Sequence, residues 1–221
     1  MPFAARDRRD PVPPLDALPG LVVRREDDAT LMAMLQGRTE AEMTRRFDAG
    51  HRAYVAWRDG QPAGWGWAAT RTAEIGELSS PFTVPAGERY LWNFVTLPAH
   101  RGRGIYPRLL DAIVRAESRG ACSAERFWIA YAPENRASGA GARKAGFVAL
   151  AELSFDAAGR AALRGLVPGG GRVASRVLGL PEAHDALAPC WRCVRAGRDS
   201  MSCGPAQCRC DYQVPKSGCA V

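Results

Sequence analysis

Apolar positions along this chain recur with two periods, and the switches between them outline its elements. Leu21-Val22-Val23 predicts a short strand. Residues 28–36 and 39–48 carry apolar side chains at helical spacing, with Leu31, Met34 and Leu35 on one face and Met43 and Phe47 on another. Strands near 52–58 and 62–70 flank Asp59-Gly60, a dipeptide suited to a tight hairpin. Trp65 and Trp67 alternate with Gly64 and Gly66, so both indoles point to one face. Core packing is the favoured role for this pair, and the wall of a substrate cleft is the sharper alternative. A third strand near 73–77 and a loop through Pro81 and Pro85 lead to a strand at 89–96. The next helix runs to about Arg119, with Ile105, Leu109, Ile113 and Ala116 as its buried stripe and Pro107 in its first turn. A strand at 126–132 completes a strand–helix–strand unit, the signature of a parallel pair. A helix at 135–145 and a strand at 147–155 follow.

The remaining stretches have weaker patterns. Residues 1–20 hold five prolines and several charges, and are expected to form a disordered or loosely attached leader. Residues 156–186, with Gly169–Gly171, read as a connection or insertion, and a final strand is expected near 190–196. The division is thus a leader at 1–20, one domain at 21–197 and a tail at 198–221.

Composition narrows the class. The chain has 221 residues, 47% of them hydrophobic, enough for one full core. Its net charge of +7 suits an arginine-rich soluble protein, and also one that binds a polyanionic cofactor. No basic run is interleaved with aromatics, which argues against a nucleic-acid partner. No apolar run reaches 18 residues, and the N-terminus lacks the apolar core of a signal peptide. A cytoplasmic protein without a membrane partner is expected, and the oligomeric state is not readable.

The stretch richest in chemistry follows the apolar run Tyr90–Val95. Arg101-Gly102-Arg103-Gly104-Ile105-Tyr106 links a strand to a helix N-terminus. The first N–H groups of a helix have no internal partner, and the helix dipole favours negative charge there. Glycines let the backbone close around phosphate oxygens, and arginines add charge-assisted hydrogen bonds. The loop is neither common nucleotide fingerprint: Pro107 stands where a third dinucleotide-loop glycine would be, and the chain has no Gly-Lys.

The loop does fit Arg/Gln-x-x-Gly-x-Gly/Ala, and it resembles the pyrophosphate loop of the GNAT family, the Gcn5-related N-acetyltransferases that use acetyl-CoA. Two further stretches resemble the family in order. Asp59-Gly60-Gln61-Pro62-Ala63-Gly64 is similar to its hairpin, and Asn135-Arg136-Ala137-Ser138 with Lys144-Ala145-Gly146-Phe147 is similar to its next helix. The matches span roughly residues 21–155. The resemblance implies an α/β (α+β) fold: a mixed, mostly antiparallel sheet with a central splayed parallel strand pair, flanked by helices. It implies acetyl-CoA as co-substrate and a primary amine of unknown identity as acceptor. By analogy Phe94, Val95 and Thr96 flank the pantetheine arm, with the Val95 N–H as candidate oxyanion donor. Arg101, Gly102, Arg103, Gly104, Ile105, Tyr106 and Pro107 surround the pyrophosphate. Asn135 contacts the pantetheine, caps its helix, or does both.

Acetyl transfer to an amine needs a neutral amine, a stabilised oxyanion and a thiolate able to leave. Here the chain departs from the family. Tyr106 replaces the loop's last Gly/Ala. Ala142 stands where many relatives carry the tyrosine that protonates the thiolate, and Ala130 where some carry a glutamate base. No catalytic acid or base is named, and a degenerate acyl-CoA-binding module with a regulatory role stays open as the alternative. His51, His100 and His184 have no motif around them.

Six of the seven cysteines lie in the last 32 residues. Cys190-x-x-Cys193 has metal-ligand spacing, but in a strand the two would face opposite ways. The segment holding Cys203, Cys208, Cys210 and Cys219 lacks an apolar pattern, so an unstructured tail is favoured over a metal site or a metal-binding interaction module.

Overall fold

The computed structural model describes residues 1–120, 122–183 and 185–197. Its strands are β1 (Pro2–Asp7), β2 (Leu21–Glu26), β3 (His51–Arg58), β4 (Gln61–Ala69), β5 (Thr72–Ile75), β6 (Ser80–Thr83), β7 (Glu88–Thr96), β8 (Arg126–Ala130), β9 (Val148–Phe155) and β10 (Ala161–Gly165). Its helices are α1 (Ala29–Gln36), α2 (Glu40–Asp48), α3 (Ile105–Glu117), α4 (Arg136–Lys144), α5 (Gly170–Leu178) and α6 (Trp191–Arg195). Eight strands form one sheet in the order β10-β9-β1-β8-β7-β4-β3-β2, and β5 and β6 form a separate hairpin. Neighbours in the main sheet are antiparallel except β7 and β8.

Alternation along β3 shows how the layers are built. Tyr54 and Ala56 join the cluster under α3 and α4, with Ile105, Leu109, Leu110, Ile113, Ala142 and Ala145. Ala53 and Val55 join the opposite cluster with Met32, Ala33 and Met43 of α1 and α2. Successive strand residues point to opposite faces, so α1 and α2 cover one side of the sheet and α3 and α4 the other. Asp59 and Gly60 both have positive φ, 51° and 79°, as the two-residue turn between β3 and β4 requires. Trp65 and Trp67 point together into the α1–α2 side and are buried, so they pack the core.

Three expectations are corrected. Residues 1–20 are not all leader: Pro2–Asp7 form β1, a strand with neighbours on both sides, paired to β8 and β9. Phe3, Ala4 and Ala5 are all buried, and Phe3 stacks on Trp128 with centroids 4.9 Å apart. The Arg6 guanidinium donates to Asp111 of α3 at 2.8 Å and to the Ala145 carbonyl at 2.9 Å, tying β1 to both helices on that side. The prolines and charges that suggested disorder follow this short apolar strand. The connection at 156–186 contains β10 and α5. The strand expected near 190–196 is instead α6, with Cys190 as its N-cap residue. Cys190 and Cys193 are both buried at helical spacing, so they do not face opposite ways as a strand would require. The expectations for Cys203, Cys208, Cys210, Cys219 and His184 lie outside the described residues. Among the described residues no group of His, Cys, Asp and Glu could hold a metal ion, and no helix is long and apolar enough to cross a membrane.

The C-terminal end of α3 is fixed by a buried carboxylate. Glu117 accepts from Tyr54 Oη, Arg52 Nη1 and Arg89 Nε, each at 2.6 Å. Burial by itself would raise its pKa. The three donors outweigh that and hold it below the ordinary value. This joins the helix to β3 and β7, and so sets where its other end, the loop at 101–104, meets the sheet.

Candidate functional site

β7 and β8 pair only from Glu88–Leu91 against Arg126–Ile129. β8 then ends at Ala130, while β7 continues to Thr96. Past Leu91 the β8 side of β7 is therefore an open edge among the described residues. On its other side β7 stays paired with β4, and the Leu97 N–H extends that ladder to the Ala63 carbonyl at 2.9 Å. This bond fixes the direction of the peptide groups from Val95 on. Residues 97 and 95 turn toward β4, and residue 96 turns toward the open edge. Arg101 Nε donates to the Thr96 carbonyl at 3.2 Å, which agrees with that alternation.

A bulge precedes the open stretch. The ladder passes from Trp92–Trp67 to Val95–Trp65, so β7 holds one more residue than β4 there. Asn93 has φ +50°, a left-handed conformation rare for a non-glycine residue, and its side-chain amide donates to Gln36 Oε1 at 3.1 Å. Phe94 packs against β4 at Gly66, where a Cβ would stand 2.0 Å from the ring. The Gly64-Trp65-Gly66-Trp67 alternation thus has a use beyond aiming the indoles.

β7 ends in the arginine–glycine loop. Gly102 and Gly104 have φ of +74° and +71°, and Gly104 is the N-cap of α3. No side chain caps this helix, so its first N–H groups are available to an external acceptor. A Cβ at Gly102 would meet nothing within 4 Å, and Arg101 and Arg103 are exposed. Arg108 folds back onto the Gly104 carbonyl at 2.8 Å and the Asp16 carbonyl at 2.9 Å. The Ile105 and Pro107 side chains are buried, and proline has no N–H to donate, so Pro107 shapes the turn without a donor of its own.

Tyr106 turns away from the loop toward α4. Its ring packs edge-on to Phe94, with centroids 5.4 Å apart, and its hydroxyl lies 3.2 Å from Ser138 Oγ. A Cβ on Gly141 would stand 2.3 Å from this ring. Burial pushes the phenol up to about 12, so it stays protonated at neutral pH. The bulk added at position 106 is accommodated by small residues at 141 and 142 of the facing helix.

Across the opening, Asn135 caps α4 by accepting from the Ser138 N–H at 3.0 Å. That uses Oδ1 and leaves the amide nitrogen to donate elsewhere. Glu134, one residue earlier, was not singled out in the sequence. Its side chain is only 12% exposed, and Oε1 lies 2.9 Å from Arg192 Nη2 of α6. The pair is close in distance but not aligned as a hydrogen bond, since neither carboxylate oxygen accepts one among the described residues. Phe94, Val95 and Thr96 thus end β7, residues 101–107 follow it, and Asn135 caps α4, the helix that Tyr106 reaches at Ser138.

A model described as the acetyltransferase (GNAT) family matches residues 21–147. The chain belongs to the GNAT family. Its members are acetyltransferases, and acetyl-CoA is the co-substrate. No curated protein sequence matches the chain. Among solved structures, a GCN5-related N-acetyltransferase from Kribbella flavida is similar at 16% identity and TM-score 0.47, over 67% of this chain and 53% of its own. The chain therefore spans about half the length of that protein. AAC(6')-Iy with the bisubstrate analog CoA-S-monomethyl-acetylneamine is 21% identical, with TM-score 0.46, over 62% and 96% of the two chains. YncA from Salmonella typhimurium, an acetyltransferase solved with acetyl-CoA, is 17% identical, with TM-score 0.41, over 61% and 81%. The GNAT match covers β2 to the start of the chain segment after α4. β1, β9, β10, α5 and α6 lie outside it.

Proposed function

We propose that this GNAT domain transfers an acetyl group from acetyl-CoA to a primary amine at the open edge of β7. The observation that carries the reading is the pairing of that edge with the uncapped N-terminus of α3. The residues present suit coenzyme A. The Thr96 peptide faces the opening, and in this reading it and Phe94 pair with the amides of a pantetheine arm as a neighbouring strand would. The N–H groups from Arg103 to Tyr106, with Arg101 and Arg103, suit a pyrophosphate. When bound, acetyl-CoA supplies an activated thioester carbonyl.

The protein's own groups then have defined tasks. With the Val95 N–H in register with Trp65, we assign the Phe94 N–H as the donor to the carbonyl oxygen as negative charge develops. As the amine nitrogen bonds to the carbonyl carbon, the C–S bond breaks. The amine's proton leaves to Glu134 or through water, and the thiolate takes a proton from water. Glu134 is suited to draw an ammonium group toward the end of β8. No hydroxyl at position 142 assists thiolate departure.

A second reading, an acyl-CoA-binding module without turnover, draws on Ala130 and Ala142 standing where relatives carry catalytic groups. The test is free-thiol release from acetyl-CoA across a panel of mono- and diamines, amino acids and peptides. Release with one amine class supports the transferase. Saturable acetyl-CoA binding with no release from any acceptor contradicts it.

A further inference from the structure

A second feature lies at the other end of β4. A cavity of about 270 Å³ opens where β3 begins and β4 ends, walled by Arg25, Asp27, His51, Arg52, Thr70 and Arg71. Six residues separate Thr70 from Gly64, so it lies about 20 Å along the strand from the open edge of β7. Nothing in the acetyl-transfer reading uses it.

The wall carries three guanidiniums and one carboxylate. That carboxylate, Asp27, is engaged by Arg25, whose Nε and Nη2 both lie 2.9 Å from Oδ1. Arg52 leans on Glu117 through Nη1 alone, and Glu117 also serves Arg89, leaving the Arg52 Nε and Nη2 without a hydrogen-bond partner among the described residues. Arg71 pairs with no carboxylate among the described residues. Its Nε donates to the Ala49 carbonyl at 3.2 Å and its Nη2 to the Asp48 carbonyl, at the C-terminal end of α2. Those two bonds hold the guanidinium in place and leave Nη1 without a hydrogen-bond partner among the described residues. His51 adds a neutral donor. Its Nδ1 accepts from Trp92 Nε1 at 3.1 Å, which assigns the proton of the uncharged ring to Nε2. Burial, then the nearby charges of Arg46 and Arg71, lower its pKa to about 4, so the ring is uncharged at neutral pH.

We infer that this cavity is a binding site for a small oxyanion, a phosphate or carboxylate group, separate from the acetyl-transfer site. Arg71 and the His51 Nε2–H line it from the α2 side and Arg52, held to Glu117, from the α3 side, and the excess of guanidinium over carboxylate favours a negative ligand. An occupant would also bear on β7. His51 holds Trp92, which adjoins the bulge at Asn93, so a ligand on His51 stiffens the strand at the acyl-transfer rim. The site thus fits a soluble anionic effector.

The test is the melting temperature of the full chain, titrated with inorganic phosphate and, separately, succinate, at ionic strength held constant with sodium chloride. A saturable rise with either anion is expected, and the stronger of the two identifies the oxyanion chemistry. Arg71→Gln should weaken the apparent affinity at least tenfold. Asp27→Asn, at an exposed side chain that should leave the fold intact, should tighten it two- to fivefold. Arg103→Glu controls for phosphate captured by the loop before α3. It should abolish an acetyl-CoA shift and leave the phosphate shift unchanged. A shift no larger than that of chloride, or one lost in Arg103→Glu and indifferent to Asp27→Asn, overturns the inference and leaves the acetyl-transfer reading standing.

Discussion

Ala142 has 1% of its surface exposed, beside the Gly141 on which Tyr106 packs. There is no room for a phenol ring, so Ala142→Tyr does not restore a missing acid. It is expected to cost about 1–3 kcal/mol through overpacking, read as a lower melting temperature without a gain in turnover. Higher turnover at an unchanged melting temperature would show that the helix has space. Glu134→Gln tests the carboxylate at the end of β8. Acetyl-CoA binding should be retained while kcat/KM for a cationic amine falls about 10²- to 10⁴-fold, and an unchanged value removes Glu134 from the reaction. His51 gives a pH signature. Its folded pKa of about 4 lies below the unfolded value of about 6.5, so the unfolded chain binds more protons between them. The stability that the neutral ring contributes is complete above about pH 6.5 and lost as pH falls toward 4. His51→Gln should lose less melting temperature over that interval than the parent, and parallel profiles would contradict the burial of an uncharged ring. The loop residues could be picked out in the sequence because Gly102 and Gly104 are needed wherever a chain adopts positive φ before a helix. Asn93 could not, since nothing local in Trp92-Asn93-Phe94 marks a bulge. The choice between Val95 and Phe94 as donor depends on register against β4, which a single strand does not encode.

At the level of elements, the two ends of α3 have different tasks. Its N-terminus is left bare for a ligand, and its C-terminus is held by Glu117. Glu117→Gln leaves the buried Arg89 and the partly buried Arg52 without their counter-charge and is expected to cost about 3–5 kcal/mol. Equilibrium denaturation measures this, and a change below 1 kcal/mol would mean that solvent replaces the carboxylate. α3 and the β3–β4 hairpin were legible because each has a long, clean period and a diagnostic end: the stripe from Ile105 to Ile113, and the Asp59-Gly60 turn. β1 was hidden because six residues are too few to show a period, and the prolines downstream suggested disorder. α6 is equally short. Trp191–Arg195 alternates as a strand would, yet Cys190, Cys193 and Val194 also satisfy i, i+3, i+4, and packing against the β9 end of the core selects the helix.

In the whole molecule, the GNAT match begins at Leu21 and ends at Phe147, yet the sheet extends past both limits. The strand nearest the N-terminus lies between β8 and β9, and β8 is the strand that diverges from β7. Such placement joins residues more than 120 positions apart, as in Phe3 against Ala130, and no local pattern announces it. Removing residues 1–7 should therefore unfold the domain rather than trim a leader, since β8 and β9 would lose their common neighbour and Asp111 its buried partner Arg6. A truncated chain with native circular dichroism and melting temperature would contradict that arrangement. The account as a whole depends on coenzyme A lying along β7 with its pyrophosphate at α3, and the most direct measurement of this is the acetyl-CoA-induced shift in melting temperature. At a hundredfold excess over Kd, the parent chain should gain roughly 5–10 °C. Arg103→Glu, at an exposed position, should fold as the parent does and lose most of the gain. A folded Arg103→Glu chain that keeps the full shift, or a parent chain with no shift at saturating acetyl-CoA, would contradict it.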